Sequence, residues 1–143
     1  MNTTAGYERI TIGSAMHRGV VTCRPETPLA KVAQMMAGHN IHCVVVSGET
    51  FWGVVSDLDL AGAIAAGRPQ SDAEAVASTP VVTIRPDETV RRGAELMVEH
   101  GVTHLVVVRR KRPVGVISAL DLARVLADLR PTRPEHRDEG RST

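Results

Sequence analysis

The stretch Gly53-Val54-Val55-Ser56-Asp57-Leu58-Asp59-Leu60-Ala61 returns 62 positions later as Gly115-Val116-Ile117-Ser118-Ala119-Leu120-Asp121-Leu122-Ala123. Upstream of it, Val20-Val21-Thr22-Cys23-Arg24-Pro25-Glu26 returns 61 positions later as Val81-Val82-Thr83-Ile84-Arg85-Pro86-Asp87. At that same offset Leu29, Ala33, Met36 and His39 return as Val90, Ala94, Met97 and His100, and Ile41 with Val44-Val45-Val46 returns as Val102 with Leu105-Val106-Val107. Matches this dense mark a duplication. The slip from 61 to 62 falls in the polar stretch after the second strand, where a hairpin absorbs a residue at little cost.

Each copy has the same order of elements. A short β-branched run (Val20 to Cys23; Val81 to Ile84) reads as a buried strand. The apolar spacing of Leu29, Val32, Ala33 and Met36, matched by Val90, Ala94 and Met97, predicts an amphipathic helix. Thr27 is expected to cap it, with Pro28 in its first position. Asn40 and Gly101 stand just past it and suit the left-handed residue that ends a helix. An unbroken apolar strand follows (Cys43 to Val46; Leu105 to Val108), then a turn, a second strand ending at Val55 or Ile117, and a closing helix. The predicted class is α+β: two β-α-β-β-α repeats packed face to face as a pseudo-two-fold pair, because a unit of roughly 50 residues cannot bury a core alone. In the last helix Leu122, Val125, Leu126 and Leu129 form one apolar stripe, and Leu120, Ala123 and Ala127 form another. Two faces need two partners. One is the helix's own sheet; the other is the partner repeat or a second chain, which predicts a homodimer with isologous helix contacts.

The remaining composition narrows the function. The chain has 143 residues, 43% hydrophobic and 23% charged, with 17 basic against 16 acidic side chains and a formal net charge of +1. A protein whose main work is coating nucleic acid or an anionic membrane needs a clearer positive excess. Aromatics are 2% (Tyr7, Phe51 and Trp52), too few for stacking single-stranded bases. There is no apolar run of about 18 residues and no secretory leader pattern, so the expected location is cytoplasmic. Cys23 and Cys43, both in apolar strands, are read as free core thiols. His39, His42, His100 and His104 have no acidic or thiol partner at ligand spacing, so no metal site is assigned. Neither Ser56 nor Ser118 lies in a nucleophile motif, and no catalytic group is visible. The chain is not read as an enzyme.

The chemistry sits in Gly53-x-x-Ser56-x-x-Asp59 and Gly115-x-x-Ser118-x-x-Asp121, both at a strand-to-helix junction. In one reading the glycine admits a ligand close to the backbone, the serine and the first helical N–H groups hold an oxyanion, and the aspartate accepts the two vicinal hydroxyls of a ribose. In the other, Ser-x-x-Asp is a variant capping box that only stabilises the helix. The two roles can coexist. Recurrence of the motif with its glycine at both junctions favours binding.

Residues 10 to 129 resemble a tandem pair of CBS domains, the cystathionine β-synthase repeat, often called a Bateman module. The resemblance rests on the repeated element order, the Val-Val-Thr-x-Arg-Pro opening and the Gly-hydrophobic-hydrophobic-Ser-x-x-Asp ending. Ser14-Ala15-Met16 is similar to the family's lead-in, whereas its counterpart Ala77-Ser78-Thr79 lacks the methionine. The resemblance implies a regulatory module that binds adenosine-containing ligands between the repeats and signals by conformational change to an effector protein. The implied ligands are AMP, ADP, ATP or S-adenosylmethionine, with no obligatory cofactor. One implied site uses Ser118 and Asp121, with Val116, Val21, Ile41 and His42. The other uses Ser56 and Asp59, with Val54, Val82, Val102 and Thr103. Since His42 answers to Thr103, the first site is the better furnished for an anion. The alternative function is a ligand-free dimerising scaffold.

The expected domains are a flexible start (1–9), repeat 1 (10–68), a linker (69–76) with a short helix over Ala73 to Ala77, repeat 2 (77–129) and a polar disordered tail (130–143). Arg109-Arg110-Lys111-Arg112 is read as a solvated hairpin turn, and Trp52 as a cover for apolar surface or an oligomer contact.

Overall fold

A computed structural model describes residues 8–128. Its elements run α1 (Ile12–Ala15), β1 (His17–Arg18), β2 (Thr22–Cys23), α2 (Leu29–His39), β3 (Cys43–Ser47), β4 (Trp52–Ser56), α3 (Asp57–Ala65), α4 (Ala73–Val76), β5 (Thr83–Ile84), α5 (Val90–His100), β6 (His104–Arg109), β7 (Arg112–Ser118) and α6 (Ala119–Asp128). Each repeat has the expected β-α-β-β-α order. One sheet is β2-β3-β4 and the other β1-β7-β6-β5. In each, the first strand of the repeat runs parallel to the second, and the hairpin pair is antiparallel. The expected tail and Leu129 lie outside the described residues, as do residues 1–7; Glu8, placed by the sequence pattern in the flexible start, forms an ion pair with Arg91 of α5.

Two apolar clusters hold the repeats. Cys23, Val32, Met36, Val44, Val46, Val55 and Ala73 form the first, and Ile12, Ile84, Val90, Met97, Leu105, Val107 and Ile117 the second. Strand alternation puts Val45 on the face opposite Val44 and Val46. Val45 is fully buried and lines a cavity with Thr83 and Val108 of the other sheet. The second face of each sheet is therefore turned to the other repeat.

The segment before each repeat does not stay with that repeat. Ile12, ahead of the first copy, is fully buried in the second cluster, and β1 adds to the second sheet with His17 opposite Val116 and Arg18 opposite Gly115. Ala73, ahead of the second copy, belongs to the first cluster, and Ser78 bridges to Val54. The motif glycines explain how the chains come so near. A Cβ on Gly115 would stand 2.4 Å from the His17 carbonyl oxygen, and one on Gly53 would stand 3.0 Å from the Ala77 methyl. The space attributed to a ligand at these glycines is taken by the crossing lead-in.

Three local expectations need revision. Thr27 does not cap α2: its hydroxyl accepts the Arg24 N–H at 3.1 Å, closing the turn before the helix, and Pro28 stands at the N-cap with no side-chain bond. In the second copy Thr89 does cap, accepting the Arg92 N–H at 3.1 Å. The extra residue of the second copy is not in its turn. It is a bulge within the hairpin, since Val107 pairs with Gly115 and Val108 with Pro113, leaving Val114 over. The Val114 carbonyl accepts the Gly19 N–H at 2.8 Å, so the bulge serves the added strand. As expected, Asn40 (φ 54°) and Gly101 (φ 64°) end their helices in left-handed conformation.

The basic run does form the second hairpin's turn, and its backbone is unusual. Arg109 pairs with Arg112, leaving Arg110 (φ 52°) and Lys111 (φ 65°) as the two turn residues. Left-handed backbone is suited to Asn-Gly and costs a side-chain-bearing residue about 1–2 kcal/mol. Truncating Ile12 to Ala should cost roughly 2–5 kcal/mol if the lead-in is integral to the second core. Urea unfolding followed by circular dichroism checks this, and a cost below about 1 kcal/mol would show that the lead-in is only loosely docked.

Candidate functional site

Each closing helix starts with the same polar knot. At α3 the Ser56 hydroxyl accepts the Asp59 N–H (3.3 Å), while Asp59 Oδ2 accepts the Ser56 N–H (2.8 Å) and hydroxyl (3.1 Å). At α6 the Ser118 hydroxyl accepts the Asp121 N–H (3.1 Å), and Asp121 Oδ2 accepts the Ser118 N–H (2.9 Å) and hydroxyl (3.1 Å). The capping box is therefore real in both copies. It commits only Oδ2. The second carboxylate oxygen of each aspartate points to other partners.

Those partners come from the crossing lead-ins, and they make the two junctions unequal. Ser78 donates to Asp59 Oδ1 at 3.2 Å. Because His17 pairs with Val116 as Ser78 bridges to Val54, Ser78 answers to His17 and not to Ala15 as the lead-in comparison sets it. His17 places Nε2 3.3 Å from Asp121 Oδ1, and the guanidinium of Arg124, on α6 itself, donates to that oxygen at 3.0 Å. Asp121 is left 3% exposed. Asp59 is half-buried, its Oδ1 is held by one hydroxyl, and it opens on a cavity of about 130 Å³.

That cavity gathers Val54, Ser56, Asp59, Val82, Val102 and Thr103, one of the two residue sets that the family resemblance implies, with Leu58, Ser78, Pro80, Val81, Gly101 and His104. The other set is not arranged in the same way. Ser118 and Asp121 stay together, but Val116 is paired with His17 of the lead-in. Val21 and Ile41 pack against the first core, and His42 gives Nδ1 to Asp57 at 2.9 Å. The residue expected to favour an anion at Asp121 is thus bound to a carboxylate of α3. His104, which the sequence reading turns toward the cleft or the core edge, lines the cavity beside Asp59. Ser78, His17 and Arg124 escape the sequence pattern. Ser78 and His17 lie 61 residues apart, the offset of the first strands, and that spacing is the available signal; Arg124 has no counterpart to flag it.

Among the described residues, the cavity beside Asp59 carries a carboxylate and no lysine or arginine. Asp57 and Asp59 both occupy the first turn of α3, where they oppose the attraction of the helix N-terminus for anions. His104, whose Nδ1 lies 3.0 Å from the Thr103 hydroxyl, is held below the ordinary imidazole range, chiefly by burial and against the pull of nearby Asp57. It therefore adds no positive charge near neutral pH. Burial, with Asp57 and Asp59 close by, pushes the Cys43 thiol up to about 12, which removes it as a nucleophile. Among the described residues no three histidine, cysteine or acidic side chains are grouped to hold a metal ion. No described helix is long and apolar enough to cross a membrane.

The fold and the repeated junction define a class, confirmed by comparison with known proteins. Residues 12–66 and 73–128 match the CBS domain family, and the chain belongs to it as a tandem pair. It is 28% identical over 116 residues to the CBS domain-containing protein YhcV of Bacillus subtilis, covering 79% of this chain and 83% of that protein. It is 32% identical to a homoserine O-acetyltransferase of Methanocorpusculum labreanum over 82% of this chain, but spans only 25% of that protein. Among solved structures, the CBS domain pair of MJ0100 in complex with 5′-methylthioadenosine and S-adenosyl-L-methionine superposes with a TM-score of 0.77 at 21% identity, covering 84% of this chain and 98% of that one.

His104 gives a pH expectation. Its folded-state affinity for a proton is lowered, so between that value and about 6.5 the unfolded chain binds more protons and stability rises with pH. Melting temperature should climb from pH 5 to 7, and His104→Asn should flatten the climb. An unchanged slope in the variant would assign the pH dependence to another group.

Proposed function

We propose that this protein is a regulatory module that binds an adenosine-bearing ligand beside Asp59, and that the ligand's 5′ substituent is uncharged or cationic. The carrying observation is the cavity itself. It combines the apolar Val54, Val82 and Val102 from both repeats with a carboxylate at the root of α3, and among the described residues it has no lysine or arginine to meet phosphates. Apolar walls accept an adenine ring, and Asp59 Oδ1, bonded only to Ser78, is suited to ribose hydroxyls. Methylthioadenosine and S-adenosylmethionine, bound by the MJ0100 pair, fit this charge pattern better than AMP, ADP or ATP.

The cavity of about 130 Å³ is smaller than the several hundred Å³ usual for a ligand of this size. Binding must therefore displace Ser78 from Asp59. Ser78 is on the lead-in to the second repeat, so its release alters how the two repeats sit together. An effector protein would read that change. The acetyltransferase in which a similar pair forms a quarter of the length supports reading the pair as a sensor that can be attached to, or act on, other proteins. The site at Asp121, held by both His17 and Arg124, is the weaker of the two.

A thermal-shift panel with methylthioadenosine, S-adenosylmethionine, AMP, ADP, ATP and NAD tests the reading. A ligand at about 100 times its Kd adds about 2.7 kcal/mol. The first two should stabilise the protein, and ATP should displace methylthioadenosine at least tenfold more weakly than S-adenosylmethionine does in competition calorimetry, which reads the Asp59 cavity alone. Asp59→Asn keeps an acceptor for the Ser56 cap and should weaken binding at least tenfold. Equal affinity for methylthioadenosine in Asp59→Asn removes the ribose assignment, and stronger displacement of methylthioadenosine by ATP than by S-adenosylmethionine removes the charge argument.

Exposed apolar side chains on the closing helices favour a dimer, whether sensing or scaffolding is its work. Leu58 and Ile64 of α3 are 75% and 70% exposed, and Leu120 and Leu126 of α6 are 51% and 59% exposed. Leu122 and Val125 pack against the protein's own core, but Leu126, expected in the same stripe, faces outward with Leu120, so the helix's two faces divide differently from the sequence reading. Sedimentation should give a dimer at micromolar concentration and a monomer for Ile64→Glu/Leu126→Glu. A monomeric wild type would refute it, and a dimer that no adenosine compound stabilises would favour the ligand-free scaffold.

A further inference from the structure

The hairpin end of the molecule carries a further cavity whose chemistry is the reverse of that beside Asp59. It measures about 400 Å³ and lies between the β6–β7 turn and α5, with Arg85, Arg92, Arg110 and Lys111 on its walls and, among the described residues, Glu88 as its one carboxylate. Arg85 is neutralised by Asp87, and Arg92 pairs with Glu95 and Glu99. Arg110 and Lys111 have no ion-pair partner among the described residues. The chain as a whole is close to neutral, so this concentration of cations is local.

The turn is not basic because the fold requires it. Arg110 and Lys111 hold left-handed backbone (φ 52° and 65°) that Asn-Gly would adopt without strain. The matching loop of the first repeat, Gly48-Glu49-Thr50-Phe51, has no cation at all. Two uncommitted cations thus sit in the backbone conformation least suited to them, at the rim of a cavity that already holds two arginines. Strain of this kind collects where side chains have a binding task. A guanidinium presents paired donors that match phosphate oxygens, and an ammonium adds a compact point charge.

We propose that this cavity is an anion site for a short phosphate chain, separate from the cavity beside Asp59. Arg110 and Lys111 supply the charge and the arginines of β5–α5 the back wall. A phosphate chain can arrive free or as part of a nucleoside triphosphate, and both share the chemistry that the site reads.

The test uses the full chain and sodium tripolyphosphate as probe, by calorimetry at 0.15 M salt. Wild type should bind, with affinity falling as salt rises. Arg110→Asn/Lys111→Gly relaxes the turn while removing both charges. It should melt no lower than wild type yet bind tripolyphosphate at least tenfold more weakly. Asp59→Asn should bind it as wild type does, which separates this site from the adenosine reading. Competition by ATP but not by adenosine would identify a nucleotide's chain as an acceptable source; tripolyphosphate binding indifferent to ATP would assign the site to free chains. No binding by wild type, equal binding by the turn variant, or loss of binding in Asp59→Asn would each overturn the proposal. So would binding of an RNA oligonucleotide without tripolyphosphate, which would make the turn a nucleic-acid contact instead.

Discussion

The lead-ins cross, and that exchange holds the two repeats together. Each repeat lacks part of its own core, and the chain supplies the missing part from the segment ahead of the other repeat. Ile12 completes the second cluster and Ala73 the first. A half that borrows core residues cannot fold independently of its twin, so the two repeats form one cooperative unit despite their small size. The close approach needs glycine at the β-strand it crosses. With the His17 carbonyl 2.4 Å from where a Cβ of Gly115 would stand, any side chain there would push β1 off the sheet.

The same crossing determines the site. It brings Ser78 to Asp59 and His17 to Asp121, so one constraint that stabilises the fold also occupies the carboxylates best placed to bind a ligand. Because the two lead-ins differ in sequence, two junctions with one ancestor have become unequal. A serine hydroxyl is a single neutral contact, which costs little to displace. A histidine and an arginine on one buried carboxylate oxygen are harder to remove, since losing them leaves a buried charge uncompensated. Duplication produced symmetry, and a few substitutions in the lead-ins and at Arg124 have broken it.

Charge divides the molecule in a similar way. The helix end, with Asp57 and Asp59 in the first turn of α3, is hostile to anions, whereas the hairpin end gathers Arg85, Arg92, Arg110 and Lys111. A net charge of +1 conceals this separation. Field and local geometry, not total charge, govern which ligands each end admits.

Much of this is legible in the residues themselves. The repeat, the element order, the helix ends at Asn40 and Gly101 and the serine–aspartate knots follow from spacing and local backbone chemistry, which act over a few residues. One complete set of cavity residues, Val54 with Ser56, Asp59, Val82, Val102 and Thr103, follows from the repeat motifs and the family they resemble. Which lead-in packs on which repeat is not legible, because that contact joins residues roughly a hundred positions apart: His17 with Asp121, and Ile12 with Ile117. Thr27 and Val114 depart from expectation for a related reason, since a hydroxyl chooses among several nearby N–H groups and a bulge forms where an added edge strand needs a carbonyl. Sequence alone therefore determined the architecture and the binding chemistry available. Only the tertiary structure decided which aspartate remains open, because that depends on the packing of a distant segment and not on the motif that carries it.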